Sequence, residues 1–260
     1  MQPIFRSRTL RPLSPTIGLV LATVVAAAPL VPAEQQDLPP AREVIRRFVD
    51  AVGGEAAVRK HRTRRMTGTF ELPAQGASGR LEVLAGHPDL FVLRVTLDGL
   101  GEIASGYDGQ VAWMVNPMEG PRVLEGVERA QMQMDADYYG MLHEASSYVS
   151  METLEHTTFE GTPVYKVRLV RKTGEEDLEF FAVDSGLLVG STISRTIQMG
   201  TIQATSVMSA YKEFSGLRLA TRLVQRAMGA EQVFNVTGVE FDTLDAAAFA
   251  PPPAIKTLLK

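Results

Sequence analysis

The chain carries four histidines, His61, His87, His143 and His156, thirty carboxylates and no cysteine. Any chemistry must therefore come from imidazole, carboxylate, hydroxyl and amine groups, and thiolate zinc sites, thiol nucleophiles and disulfides are excluded. No histidine stands in an H-x-x-H or H-E-x-x-H spacing, the arrangement that puts two ligands on one helical face. His143, beside Glu144 and close to Asp137, is the candidate base-and-carboxylate pair on which a hydrolase would be built. Ser105-Gly106, Ser185-Gly186 and Ser215-Gly216 read as turns, since a nucleophile elbow needs G-x-S-x-G. Asp135-x-Asp137 lacks the glycine and terminal glutamate of a calcium loop, and Gly99-Leu100-Gly101 opens no phosphate-binding helix. Glu175, Glu176 and Asp177 form an acidic turn between strands. The expectation is a protein with no catalytic residue, no metal and no cofactor.

What the residue pattern does supply is apolar surface, and the elements that display it can be read from periodicity. Val44, Ile45, Phe48, Val49 and Val52 recur at helical spacing within Ala41 to Val58, opposite Arg42, Arg46, Arg47 and Asp50, and Gly53-Gly54 breaks or caps that helix. From Arg64 the period drops to two, the mark of half-buried strands. Met66 and Phe70 alternate with Arg65, Thr67 and Thr69. Phe91, Leu93 and Val95 alternate with Arg94 and Thr96. Trp113 follows the turn at Asp108-Gly109, and Tyr165 and Val167 alternate with Lys166 and Arg168. Further alternating runs carry Phe180 and Phe234. About ten or eleven strands joined by short turns make antiparallel neighbours. The fold class is mainly β (α+β): one large twisted antiparallel sheet, an unclosed half β-barrel of about eleven strands. One segment, Gly126 to Ala145, instead spaces Met134, Tyr138, Met141 and Leu142 as a helix. With the N-terminal helix it is expected to cap the concave face as a lid.

The ends and the charge narrow the class. Arg6, Arg8 and Arg11, an apolar run from Ile17 to Leu30 and Val31-Pro32-Ala33 have the order of a secretory signal peptide, cleaved after Ala33 or, as second choice, Ala28. The run is shorter than the roughly 20 residues of a span and is broken by Pro29, so no stable membrane span is expected after cleavage. Residues 34–40 form a proline-ended linker, and 41–260 are one domain. The formal charge of -4 comes without a basic stripe, which excludes a nucleic-acid binder.

The entry-helix ending Ala51-Val52-Gly53-Gly54-Glu55-Ala56, the Gly106-Tyr107-Asp108-Gly109 turn before Val111-Ala112-Trp113, and Pro117-Met118-Glu119-Gly120-Pro121 before the inserted helix carry a resemblance. From Ala41 onward the layout resembles the outer-membrane lipoprotein-sorting protein family, periplasmic carriers with a helix-capped half-barrel. That resemblance implies a periplasmic carrier or chaperone whose hydrophobic cavity takes acyl chains of a lipid or lipoprotein, with envelope donor and acceptor proteins as partners and no cofactor. It also implies an important arginine near the cavity mouth, for which Arg64, Arg65, Arg80 and Arg94 are available without distinction. The expected apolar lining is Met66, Phe70, Phe91, Leu93, Val95, Trp113, Tyr165, Val167, Phe180 and Phe234, under a lid of Met134, Tyr138, Met141 and Leu142. The alternatives are a non-catalytic structural or sensing module of the envelope, or a hydrolase using the same cavity.

Overall fold

A computed structural model describes residues 37–260 except 173, 198 and 199. The leader and linker residues 34–36 therefore lie outside the described residues. Two helices open the chain, α1 (Ala41–Ala51) and α2 (Glu55–Lys60). Six strands follow: β1 (Thr63–Leu72), β2 (Ala77–Gly86), β3 (Leu90–Leu97), β4 (Gly101–Tyr107), β5 (Ala112–Asn116) and β6 (Gly120–Leu124). After α3 (Gly126–Asp135) come β7 (Tyr148–Phe159), β8 (Thr162–Arg171), β9 (Glu176–Ala182), β10 (Leu188–Ile197), β11 (Gly200–Phe214), β12 (Leu217–Ala227) and β13 (Ala230–Phe241), and the chain ends on α4 (Pro253–Leu258). The strands form one 13-stranded sheet in the order β6-β5-β4-β3-β2-β1-β13-β12-β11-β10-β9-β8-β7. Every neighbouring pair is antiparallel. β6 and β7 are left as unpaired edges.

The alternation in β1 decides the two faces. Its register pairs Met66 with Val83 and Val239, and Phe70 with Gly79 and Phe234, so Arg64, Met66 and Phe70 share a face with Leu81, Leu93 and Val95, while Arg65, Thr67 and Thr69 point away. α1 covers the first of these faces at the β7–β12 end. Val44, Ile45, Phe48 and Val52 are each at most 5% exposed and sit against Val167, Leu169, Phe181, Leu188, Leu217 and Leu219. At about 2 kcal/mol per buried aliphatic or aromatic side chain, that stripe contributes roughly 8 kcal/mol, which explains why the helix forms despite a proline N-cap. It ends at Gly53, whose φ of +125° and closeness to the Gly216 carbonyl, 2.3 Å from where a Cβ would stand, admit no other residue.

α3 lies on the same face and proves that the sheet is curled. It touches β4 and β5 and also β10, although β4 and β10 are seven strands apart in the order. A flat sheet would separate them by about 34 Å at ~4.8 Å per strand, whereas a ten-residue helix is only about 15 Å long. The face bearing α1 and α3 is therefore the concave one, and the open edges make the fold an unclosed half-barrel.

The inserted segment is shorter as a helix than its spacing suggests. α3 stops at Asp135; Asp137 accepts the Tyr139 N–H with Oδ1 at 3.0 Å, and 3-10 turns follow at Gly140–Leu142 and Ala145–Ser147. A side chain that captures the backbone two residues on offers it an alternative to the helical ladder. Met134 is thus helical, but Tyr138, Met141 and Leu142 belong to the turns beyond it.

Candidate functional site: a concave apolar face with a polar corner

Of the expected lining, Met66 and Phe70 on β1, Phe91, Leu93 and Val95 on β3, Tyr165 and Val167 on β8 and Phe234 on β13 all lie on the concave face by register. They do not form one surface. Phe70, Leu93, Val95 and Phe234 meet in a cluster with Leu81, Leu97 and Ile103, the Phe70 and Phe234 rings 5.0 Å apart. Phe91 joins Tyr107, Ala112 and Leu124 beneath Met132 and Ala136 of α3 and its end. Tyr165 and Val167 are taken up by α1.

Two residues are on the other side, which corrects the expected lining. Trp113, 1% exposed, sits on the convex face with Leu84, Val92 and Ala104, under Phe249 and Ile255 of the C-terminal segment. Gly106 makes room for it, since a Cβ there would stand 2.7 Å from the indole. Phe180 also faces outward and stacks on Phe159 at 4.1 Å; its neighbour Phe181 takes the inward position against Phe48 at 5.6 Å.

The concave face also has a polar corner that periodicity did not reveal. A cavity of about 220 Å³ lies between Phe48 of α1, Met134 and Asp135 of α3, the turn carrying Asp137, Met141 and His143, and Tyr148, Arg171, Glu179 and Leu188 of the sheet. His143, at φ +49°, is 8% exposed, with Nε2 2.7 Å from Glu179 Oε2 and Nδ1 3.0 Å from the Met141 carbonyl. Burial alone would depress the His143 pKa; the charge and hydrogen bond of Glu179, with the Met141 carbonyl, outweigh it and raise it above the ordinary value. Both ring nitrogens are thus occupied, and neither presents a lone pair to a substrate. The partners expected for a hydrolase are engaged elsewhere: Glu144 binds Arg59 at 2.6 Å, and Asp137 holds the Tyr139 N–H. Behind the pair, Arg171 Nε donates to Asp177 at 2.7 Å, and Asp177 is 2% exposed. The signal for this corner was present in β9, where Asp177 and Glu179 alternate onto the same face as Phe181. No group of His, Asp and Glu among the described residues is arranged to hold a metal ion.

α3 is held differently from α1. Gln131 is its only buried residue. Its ties are polar: Arg122 to Glu128 at 2.8 and 3.0 Å, Arg129 to the Gln110 carbonyl at 3.1 Å, Gln133 to Asp89 at 3.3 Å and Arg195 to Asp135 at 2.6 Å. The Gln131 amide spans the Thr196 peptide, with both contacts at 3.0 Å. Of the four candidate arginines, register places Arg65, Arg80 and Arg94 on the convex face and Arg64 on the concave one. Arg65 and Arg94 share Glu82. Arg64 lies 5.8 Å from the Tyr138 ring, its Nε is buried without a hydrogen-bond partner, and burial lowers its pKa.

No family model matches the chain, and no curated protein does. Solved structures do match in fold. A LolA superfamily protein from Nitrosomonas europaea superposes with a TM-score of 0.53 at 13% identity, covering 82% of this chain and 99% of that one. A DUF1329 family protein from Desulfovibrio piger gives 0.55 at 12%, covering 82% and 98%. A domain designated outer-membrane lipoprotein-sorting, from Vibrio parahaemolyticus, gives 0.51 at 13%, covering 84% and 97%. The chain has the LolA-like lipoprotein-sorting fold. Among the described residues, no helix is long and apolar enough to cross a membrane.

Proposed function

We propose that the protein is a periplasmic carrier that takes an acyl chain of a lipid or lipoprotein onto its concave face once α3 swings aside. The observation that carries this reading is the contrast between the two helices. α1 is locked by a stripe of buried apolar residues, whereas α3 bridges the curled sheet through ion pairs and amide contacts. The Arg122–Glu128 and Arg195–Asp135 pairs keep between 23% and 44% of each side chain exposed, so water reaches them as α3 moves off, and ion pairs open to solvent contribute little, about 1 kcal/mol or less each. Farther along the same concave face lies the apolar strip of Phe70, Leu81, Leu93, Val95 and Phe234, which α3 does not cover, and each methylene laid on such a surface gains about 0.8 kcal/mol. Arg64, the concave arginine without a carboxylate partner, is assigned to the polar end of the cargo. The opening is affordable if cargo replaces the contacts α3 gives up, since only differential binding shifts the two states.

The native chain lacks cysteine, so an Asp135→Cys/Arg195→Cys variant joined by a short, reducible bis-thiosulfonate spacer tests the lid directly. The spacer should abolish binding of a fluorescent fatty acid, and reduction should restore it. Equal binding by the locked and reduced forms would remove α3 from the mechanism.

A further inference from the structure

The two rims of the half-barrel differ in what their turns present. With every strand antiparallel to its neighbours, the β5–β6, β3–β4, β1–β2 and β12–β13 turns fall at one end of the sheet, as four consecutive hairpins along the sheet order, and the β8–β9 turn with Lys172 and Glu175 falls at the same end farther along. Their tips carry Met118, 93% exposed, Leu100, 60% exposed, the exposed Pro73-Ala74, and Met228, 65% exposed. The first two tips are adjacent: a Cβ on Gly101 would stand 3.3 Å from Pro117. On the opposite rim the turns carry Asp89, Asp108 and Asp184, the β7–β8 turn folds over the convex face so that Glu160 pairs with Arg226 at 2.7 Å, and none of these described turns shows a large exposed apolar side chain. The remaining exposed large apolar residues are scattered: Val127 on α3, Val149 on β7 and Leu258 and Leu259 at the end of the chain.

Turn tips are ordinarily polar, and a single exposed apolar residue means nothing. A row of them does. Neighbouring hairpins stand about 10 Å apart, so the row runs for roughly 30 Å along one edge. We infer that this rim is a docking surface for a lipid bilayer, its tips entering the boundary between headgroups and acyl chains. A protein partner fits the observations less well. The row is narrow, the hollow beside Pro73 and Gly76 is lined in large part by the polar Thr69, Glu71, Ser78, Arg80 and Asp98, and the tips themselves carry no aromatic or arginine anchor of the kind that concentrates binding energy at protein interfaces. A fluid apolar layer accepts separate, flexible Met and Leu side chains without shape matching. Asp98 and Glu119 flank the tips of Leu100 and Met118 and supply no basic attraction, so the favoured surface is zwitterionic rather than anionic. The inference goes beyond acyl binding on the concave face and does not depend on it.

The test is flotation of the protein, purified from the envelope extract of expressing cells, with vesicles of phosphatidylcholine and phosphatidylethanolamine, and separately with phosphatidylglycerol added. Wild type should float with the first and less with the second. Leu100→Ser, Met118→Ser and Met228→Asn should each lower the partition coefficient by about tenfold, asparagine being chosen because residue 228 has a φ of +52°. The triple variant should stay at the bottom, while Val127→Ser/Val149→Ser floats as wild type does. Unchanged fatty-acid probe binding and thermal melting in the triple variant would show that docking alone was lost. Wild type that does not float, or single and triple variants that float equally well, would overturn the proposal; loss of probe binding in wild type would instead count against the carrier reading.

Discussion

The His143–Glu179 pair offers the sharpest test of how the polar corner is held. Their side chains are 6% and 11% exposed, and the contact is 2.7 Å. Removing one member of a buried charged pair costs about 3–5 kcal/mol, whereas replacing both with apolar residues of similar volume is often neutral. His143→Leu removes the imidazole, packed among Phe48, Phe181 and Tyr148, that pairs with Glu179, leaves that buried carboxylate without its hydrogen bond, and should cost about 4 kcal/mol. At roughly 3 °C per kcal/mol for a domain of this size, melting should fall by about 12 °C. Glu179→Leu should cost less, because an unpaired imidazole can stay neutral. The double Leu variant should recover most of the loss. The pH dependence gives an independent readout. In wild type the raised His143 pKa means the pair's stabilisation is complete below about pH 6.5 and is lost as pH rises through the folded value. In Glu179→Leu the same ring is buried with no acid, its pKa falls below the unfolded value, and stability should rise with pH through about 6.5. Circular-dichroism melting from pH 5 to 8 measures both slopes. Equal slopes in the two proteins, or a double variant no better than the worse single, would refute the argument.

Other outcomes follow from the same geometry. Phe249→Ala should cost about 3–5 kcal/mol and shift the emission of the sole tryptophan to the red, since Phe249 covers Trp113, yet leave fatty-acid binding unchanged because both lie on the convex face. Arg64→Met should leave melting within about 1 kcal/mol of wild type, the buried Nε having no partner to lose, while lowering affinity for a fatty-acid probe about tenfold in titration. Asp135→Asn should speed probe association in stopped-flow, because it weakens the tie to Arg195, whose partners keep 44% and 23% of their side chains exposed. Burial raises the Asp135 pKa, so mild acid, by neutralising the same tie, should speed association in wild type too.

Much of the fold was legible because alternation in β1, β2, β3 and β8 is strict and the turns are short. Three strands escaped for identifiable reasons. β6 contains Pro121, as befits the edge of a sheet; β7, the other edge, spaces its apolar residues irregularly because bulges interrupt its register; β4 fills its faces with Ala104, Ser105 and Gly106, too small to register as a pattern. Period two also says which residues share a face without saying which face is concave. In β5 both sides are apolar, Ala112 and Met114 inward and Trp113 and Val115 outward, and bulk alone pointed the tryptophan the wrong way. The missing information was the C-terminal segment, whose Phe249 and Ile255 give the convex side a core of its own. In β9, the adjacent Phe180 and Phe181 posed the same ambiguity.

In a closed barrel, strand number and stagger fix the girth once and for all. Here the sheet has two free edges, and a ten-residue helix joins β4 and β5 to β10. While α3 is docked, the diameter is therefore set by a strut, not by the staves. Substitutions confined to residues 126–135 can widen or narrow the vessel while leaving its wall untouched, so tolerance for bulkier contents is a property that can drift without refolding the rest.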